Sequence, residues 1–404
     1  MIKRILGLGT FPAVKPVHGG QRRAAAFRHF YQKIGVEYVY TCIYDSNHYT
    51  RALVGKHDIP LIVRQSDEGP VALIGDLLSG RQAATNESSF SHFVKLVERL
   101  KPDALQLEQP FMWPLAKRLR EAFGSKALPL VYSSYNVEAP LKDAILSSSG
   151  LPSDSRRRIC DSIEQMEAEV CGEAALVVCV TSSERDHYLG YCTPDRVIVV
   201  PNGVDRPPHI IPHSERCREI FQGRPFVFMV GSAYPPNVEG FCNYLIRDGA
   251  FMVPPVKSIA VCGGLGDGIF NHRLYRRFLA AHSARIHFFP EIEDPELWAM
   301  KAACHVVALP IATGAGSNLK TAEALTLGKW IVATPVALRG FADFLGADGL
   351  IAEQDPILFR KAIGQTLRSP PPTITEASRK AREALYWDRC FGDSPLGPRL
   401  LALG

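Results

Sequence analysis

Cysteine is scarce in this 404-residue chain: there are ten, with no C-x-x-C pair, so a disulfide scaffold is excluded. Cys160, Cys179, Cys262 and Cys304 stand in apolar or helical contexts and read as reduced core thiols of a cytoplasmic protein. An excess of one charge is also missing. Lys and Arg number 46 against 41 Asp and Glu, a net +5, which is too even for a nucleic-acid partner. No apolar run reaches the ~18 residues of a membrane span. The opening MIKRILGLGTFPAV imitates a signal peptide, but Gly7, Gly9, Thr10 and Pro12 interrupt its apolar run, so it reads as a buried first strand. Repeats of roughly 20–50 residues are absent, which excludes a solenoid. There is no D-x-D to hold a metal-bound diphosphate and no G-x-S-x-G nucleophile elbow. His209, His213 and Cys217 are spaced like helical metal ligands, but Pro212 breaks the run, so no metal site is expected.

What is present is a 46% hydrophobic, 22% charged mixture in which short apolar runs alternate with amphipathic stretches. Strands are expected at Arg4–Leu8, Glu37–Cys42, Ala104–Glu108, Leu130–Ser133, Leu176–Val180 and Val197–Val200, with helices such as Gln21–Ile34, Phe90–Leu100, Pro114–Phe123 and Ser155–Gly172 between them. After Pro201-Asn202-Gly203-Val204-Asp205 and the prolines 207, 208 and 212 the pattern restarts. Strands follow at Phe226–Val230, Ser258–Cys262, Arg285–Phe289, His305–Leu309 and Trp330–Ala333. Such alternation predicts parallel sheets built from βαβ units. The expected organisation is a first α/β domain over 1–202, a second over 203–385, and a segment 386–404 returning to the first, with Glu376–Cys390 helical. Ligands of open parallel sheets bind beyond the carboxyl ends of strands, so the loops there are the places to search.

The sharpest signal follows His305–Leu309: Thr313-Gly314-Ala315-Gly316-Ser317-Asn318-Leu319-Lys320-Thr321-Ala322-Glu323. The glycines permit close backbone approach, Ser317 or Asn318 can cap a helix, and its N-terminus offers N–H groups to an anion. Lys320 adds a point charge for a phosphate, and Glu323 can accept two ribose hydroxyls. Spacing alone leaves open an ordinary strand–loop–helix connection with both side chains solvated. The Gly263-Gly264-Leu265-Gly266-Asp267-Gly268 run fits no dinucleotide fingerprint and reads as a tight turn.

This segment, continued through Thr334-Pro335, resembles the donor-site signature of GT-B glycosyltransferases of the large retaining, nucleotide-sugar-dependent group. Further resemblances keep the family's order: Gly19-Gly20, Tyr135-Asn136-Val137-Glu138, Val200-Pro201-Asn202-Gly203-Val204-Asp205, and Phe228-Met229-Val230-Gly231-Ser232 with Pro235-Pro236-Asn237. The resemblance implies two Rossmann-like parallel-sheet domains facing across a cleft, with a C-terminal helix crossing back to the first. It implies donor binding by Gly231, Gly316, Ser317, Asn318, Lys320 and Glu323, with Lys320 and Glu323 carrying the catalytic roles. Gly19, Gly20, Tyr135, Asn136 and Glu138 fall on the acceptor or phosphate side. The activity implied is transfer of a sugar from a nucleotide diphosphate sugar to an acceptor hydroxyl, with retention and without metal or other cofactor. The setting implied is polysaccharide or glycoconjugate assembly, with a saccharide or lipid-linked acceptor. Two departures stand out. Ala315 lies eight positions before Glu323, where the group often has a glutamate, and Tyr135 replaces a frequent histidine. They keep open a non-catalytic carbohydrate- or nucleotide-binding subunit of an assembly complex, and the two-unit GT-B layout keeps open a nucleotide-sugar epimerase.

Three basic clusters lie in the first half: Arg22-Arg23 with Arg28 and His29; Arg156-Arg157-Arg158; and Lys117, Arg118 and Arg120 after Phe111 and Trp113. They read first as solvated helix faces. They also suit peripheral contact with an anionic membrane surface at the cytoplasmic inner face.

Overall fold

A computed structural model of the protein describes residues 2–61, 74–147, 149–247, 258–313 and 318–403. The chain divides into two compact units, Met1–Asn202 with Trp387–Gly404, and Gly203–Tyr386. Both are α/β, and every strand pairing among the described residues is parallel.

The first unit holds a seven-stranded sheet. Its strands are β1 (Arg4–Gly9), β2 (Glu37–Tyr44), β3 (Ile59–Pro60), β4 (Ala104–Leu107), β5 (Leu130–Ser133), β6 (Leu176–Cys179) and β7 (Val197–Val199), in the order β3-β2-β1-β4-β5-β6-β7. Around it lie α1 (Gly19–Lys33), α2 (Gly75–Thr85), α3 (Glu87–Leu100), α4 (Trp113–Phe123), α5 (Glu138–Leu146), α6 (Ser153–Glu173) and α7 (Ser182–Tyr188). The central strands are buried on both faces, as β4 and β6 are at every position; β6 reads as a continuous apolar run, and in β4 only Gln106 interrupts it. Register is close to what side-chain size demands: Leu6 stands beside Val39 and Leu8 beside Leu107. Helix starts are capped locally. Asn86 accepts the Ser89 amide to open α3, and Thr181 with Glu184 forms a capping box at α7.

The second unit holds a six-stranded sheet of β8 (Phe226–Val230), β9 (Ser258–Cys262), β10 (Ile286–Phe289), β11 (Val306–Leu309), β12 (Trp330–Ala333) and β13 (Leu350–Ala352), ordered β10-β9-β8-β11-β12-β13. Its helices are α8 (Glu215–Phe221), α9 (Pro235–Phe241), α10 (Leu265–Asn271), α11 (Arg273–Arg277), α12 (Leu279–Ser283), α13 (Asp294–Ala303), α14 (Leu319–Thr326), α15 (Pro356–Thr366) and α16 (Glu376–Glu383). The glycine run at 263–268 makes the turn into α10, with Gly263 at φ +77°.

The structure departs from the sequence reading in three places. Edge strands β3 and β13 were not expected; they are two and three residues long, too short to leave a pattern. The single helix expected over Glu376–Cys390 is two helices. It stops at Glu383, where the chain turns through Ala384 and Leu385: the Leu385 carbonyl accepts the Val204 amide at 2.9 Å, and Tyr386 bridges to Val204. Beyond the break, α17 (Trp387–Gly392) and α18 (Leu396–Leu401) belong to the first unit, where Phe391, Leu396 and Leu400 join the core with Phe27 and Phe30.

Third, the basic clusters are solvated faces only in part: Arg28, His29, Lys117, Arg157 and Arg158 are exposed. Arg23 and Arg120 are buried, as are Phe111 and Trp113. Arg120 binds the Leu128 carbonyl and Glu173, Arg118 binds the Ala84 carbonyl and Glu87, and Arg156 pairs with Asp143. Aliphatic stems and planar guanidinium groups let these arginines serve packing and backbone satisfaction together. No helix among the described residues is long and apolar enough to cross a membrane.

Candidate functional site

Each sheet has one place where the chain changes direction along the strand order. In the first it lies between β1 and β4, in the second between β8 and β11. The carboxyl edge at such a point is open, because the flanking connections leave in opposite directions.

In the second unit, β8 runs into Gly231, and the loop opens α9, which carries Asn237. The connection after β11 ends at Asn318, whose side chain accepts the Lys320 amide and caps α14. Lys320 Nζ donates to Asn237 Oδ1 at 2.9 Å, and Asn237 Nδ2 donates to the Ser232 carbonyl at 3.2 Å. A Cβ added at Gly231 would lie 3.1 Å from Lys320 Nζ, so glycine makes room for the ammonium. Burial draws the Lys320 pKa down to about 8, against the opposing pull of Glu323. Glu323 lies one turn on, with Oε2 3.3 Å from Nζ of the buried Lys301 on α13. Gly231, Asn318, Lys320 and Glu323 are thus collected at one edge. Gly314, Ala315, Gly316 and Ser317 lie outside the described residues.

In the first unit, α1 opens with Gly19 and Gly20 after a capping box between His18 and Gln21. A Cβ at Gly20 would stand 2.7 Å from the Phe11 ring and 3.2 Å from the Tyr135 ring, so the helix start, the loop after β1 and the loop after β5 meet there. Tyr135 donates its hydroxyl to Glu108 Oε2 at 2.5 Å. Glu108, directly after β4, is fully buried. Its Oε1 also receives the Tyr38 hydroxyl and Gln106 Nε2, the latter at 2.7 Å. Burial pushes the Glu108 pKa up, while hydrogen bonds from Tyr135, Tyr38 and Gln106 and the charge of Arg23 pull it back. Arg23 reaches Asn202 Oδ1 at 3.0 Å and packs against the rings of Phe27, Tyr135 and Phe391; its Nε and Nη2 are buried with no hydrogen-bond partner among the described residues.

Tyr135 and Glu138 do not share a cluster. The Asn136 carbonyl accepts from Ser134 Oγ and the Tyr188 hydroxyl, at 2.8 and 3.1 Å. The Glu138 amide donates to Glu167, and the buried Glu138 side chain feels Lys142, Asp76 and Glu167. Burial lifts its pKa to about 8 and that of Glu167 to about 7.

The sequence alone assigns no site role to four members of these clusters: Asn237, Lys301, Glu108 and Arg23. Glu108 had a usable signal, a carboxylate directly after a buried strand, but it was counted as that strand's last residue.

Residues 21–206 match the family Glycosyltransferase Family 4, and residues 224–369 match the family Glycosyl transferases group 1. The chain is a group 1 glycosyltransferase. No curated protein matches it. Among solved structures, this glycosyltransferase is similar to sucrose-phosphate synthase from Thermosynechococcus elongatus, with TM-score 0.69, 15% identity and 100% of each chain covered. It is similar to Anabaena HepE in complex with UDP and glucose, with TM-score 0.65, 13% identity, and 99% of this chain and 100% of that one covered. A trehalose-phosphate synthase (UDP-forming) from Burkholderia vietnamiensis matches with TM-score 0.59 and 13% identity over 99% of both chains. At these identities the likeness is one of fold, the GT-B arrangement of two Rossmann-like domains. The glycosyltransferase moves a sugar from a nucleotide sugar to an acceptor.

Proposed function

We propose that the second unit holds the nucleotide diphosphate of the donor, with Lys320 at the phosphates and Glu323 at the ribose, and that the first unit holds the acceptor. The observation that carries this reading is the grouping of Lys320, Asn237 and Gly231 beside the start of α14, at the switch point of the second sheet. A helix start and an ammonium together favour an anionic diphosphate leaving group. As the sugar departs with oxocarbenium character, charge grows on the diphosphate. The Lys320 ammonium and the positive end of the α14 dipole neutralise it, so transfer needs no metal. Retention of anomeric configuration follows the resemblance of the donor segment to the retaining group.

The acceptor is proposed to be a saccharide or a lipid-linked saccharide, in polysaccharide or glycoconjugate assembly. All ten cysteines are free, which suits action in the reducing cytoplasm, with an inner membrane face as the site where the acceptor is lipid-linked. HepE was solved with UDP and glucose, so UDP-sugars come first in a calorimetric screen against UDP, GDP and ADP and their glucose conjugates. Binding of a nucleoside diphosphate that Lys320→Ala weakens supports the donor assignment; equal affinity in a folded variant rejects it. Transfer that persists in chelator supports the metal-free reading. Product analysis without acceptor separates transfer from epimerisation, and flotation with anionic liposomes tests the membrane contact.

A further inference from the structure

The switch point of the first sheet holds a carboxylate to which the donor chemistry assigns nothing. Three donors converge on Glu108: the hydroxyls of Tyr38 and Tyr135 and the side-chain amide of Gln106. Gln106 is oriented for this, since its Oε1 accepts the Tyr31 hydroxyl at 2.7 Å and its Nε2 is left to donate. Arg23 adds a buried positive charge on the same side. Tyr38 and Gln106 are buried, but Tyr135 is only half-buried, stacked at 6.3 Å on Phe11, with both rings close against Gly20. A phenol has one proton. With that proton held by Glu108, the Tyr135 oxygen has only lone pairs to offer.

We propose that Glu108 is a positioning residue that fixes Tyr135 as a one-sided hydrogen-bond acceptor, so that the carboxyl edge of the first sheet selects a saccharide hydroxyl able to donate. The proposal rests on the reading that a sugar reaches this edge during transfer. The hydroxyl can come from the donor sugar or from the acceptor; the chemistry is the same, and two arms of one experiment distinguish them.

The experiment uses the full chain and replaces sugar hydroxyls one at a time by fluorine, which accepts weakly but cannot donate. The donor arm compares UDP-glucose with its monodeoxyfluoro series. The acceptor arm compares glucose with its series in the presence of UDP. Both are read by calorimetry and by saturation-transfer NMR. One fluorinated position should bind about tenfold more weakly than its parent, since a polar partner is left unpaired. Tyr135→Phe should erase that discrimination. Glu108→Gln, whose amide can turn the phenol proton outward, should reduce it several-fold, and should add no further loss in the Tyr135→Phe background. Affinity for UDP should stay constant in all variants, which reports the donor site separately and shows that the chain is folded. The proposal is overturned if fluorinated and parent sugars bind alike, if no sugar protons contact the protein, or if the two substitutions act additively. If Glu108→Gln does not fold, the loss of discrimination in Tyr135→Phe and the comparison of Tyr38→Phe with wild type still decide it.

Discussion

Lys320 and Glu108 hold corresponding places in two sheets, each beside a switch point, and each shows how burial sets chemistry. Burial lowers the Lys320 pKa to about 8. The ammonium is therefore charged below that value and neutral above it. Affinity for a nucleoside diphosphate should be high at pH 7 and fall as pH rises past about 8, and Lys320→Ala should remove that dependence. At neutral pH the variant should lose roughly 10- to 150-fold in affinity, one charge-assisted hydrogen bond, as read by titration calorimetry. Glu138 shows the opposite sign. Its folded pKa is raised to about 8 while the unfolded value lies near 4.5, so the native state holds a proton that the unfolded chain has released. Stability from this group is complete below about 4.5 and is lost as pH rises toward 8. Glu138→Gln should therefore flatten denaturation midpoints between pH 5 and 8; a slope identical to wild type would place the burden on Glu167.

At the scale of elements, the helix starts α1 and α14 each depend on a glycine with little room beside it. Gly20→Ala sets a methyl group against the Phe11 and Tyr135 rings. It should depress transfer while leaving UDP affinity unchanged. Gly231→Ala sets one against Lys320 Nζ, the movable end of a flexible side chain, and should weaken UDP binding a few-fold with little change in melting temperature. A steady-state assay paired with UDP titration checks both. These elements differ in how plainly the sequence announces them. Strands β8 and β12 begin and end where their apolar runs do, since a parallel strand buried on both faces has few polar positions to blur it. The Asn318 cap and the pair Lys320 and Glu323 are local, and a glycine-rich turn before a helical stripe reveals them. Glu108 and Arg23 are not local. Tyr38 lies 70 residues from Glu108, and Asn202 lies 179 from Arg23. Nothing near Arg23 in sequence separates a buried guanidinium from the solvated face that Arg22 and Arg28 suggest. The break at Leu385–Tyr386 is hidden for the same reason, because its cause is Val204.

At the scale of the molecule, the chain leaves the first unit after Asn202 and re-enters it at Trp387. Leu396 and Leu400 are fully buried in that unit's core. Replacing either by alanine should cost about 2–5 kcal/mol, and differential scanning calorimetry should show the loss in the first unit's transition, with UDP binding by the second retained. The same connectivity governs how the protein is made. The unit begun first is finished last. Residues 1–202 leave the ribosome first and wait through the synthesis of Gly203–Tyr386 for the segment that covers Phe27 and Phe30. At about 5–20 residues per second, that apolar face stays open for tens of seconds on each nascent chain. During translation it is the surface where chaperones would bind and neighbouring copies would stick. Substitutions in α17 and α18 should therefore reduce the yield of folded protein more than their effect on the finished fold accounts for.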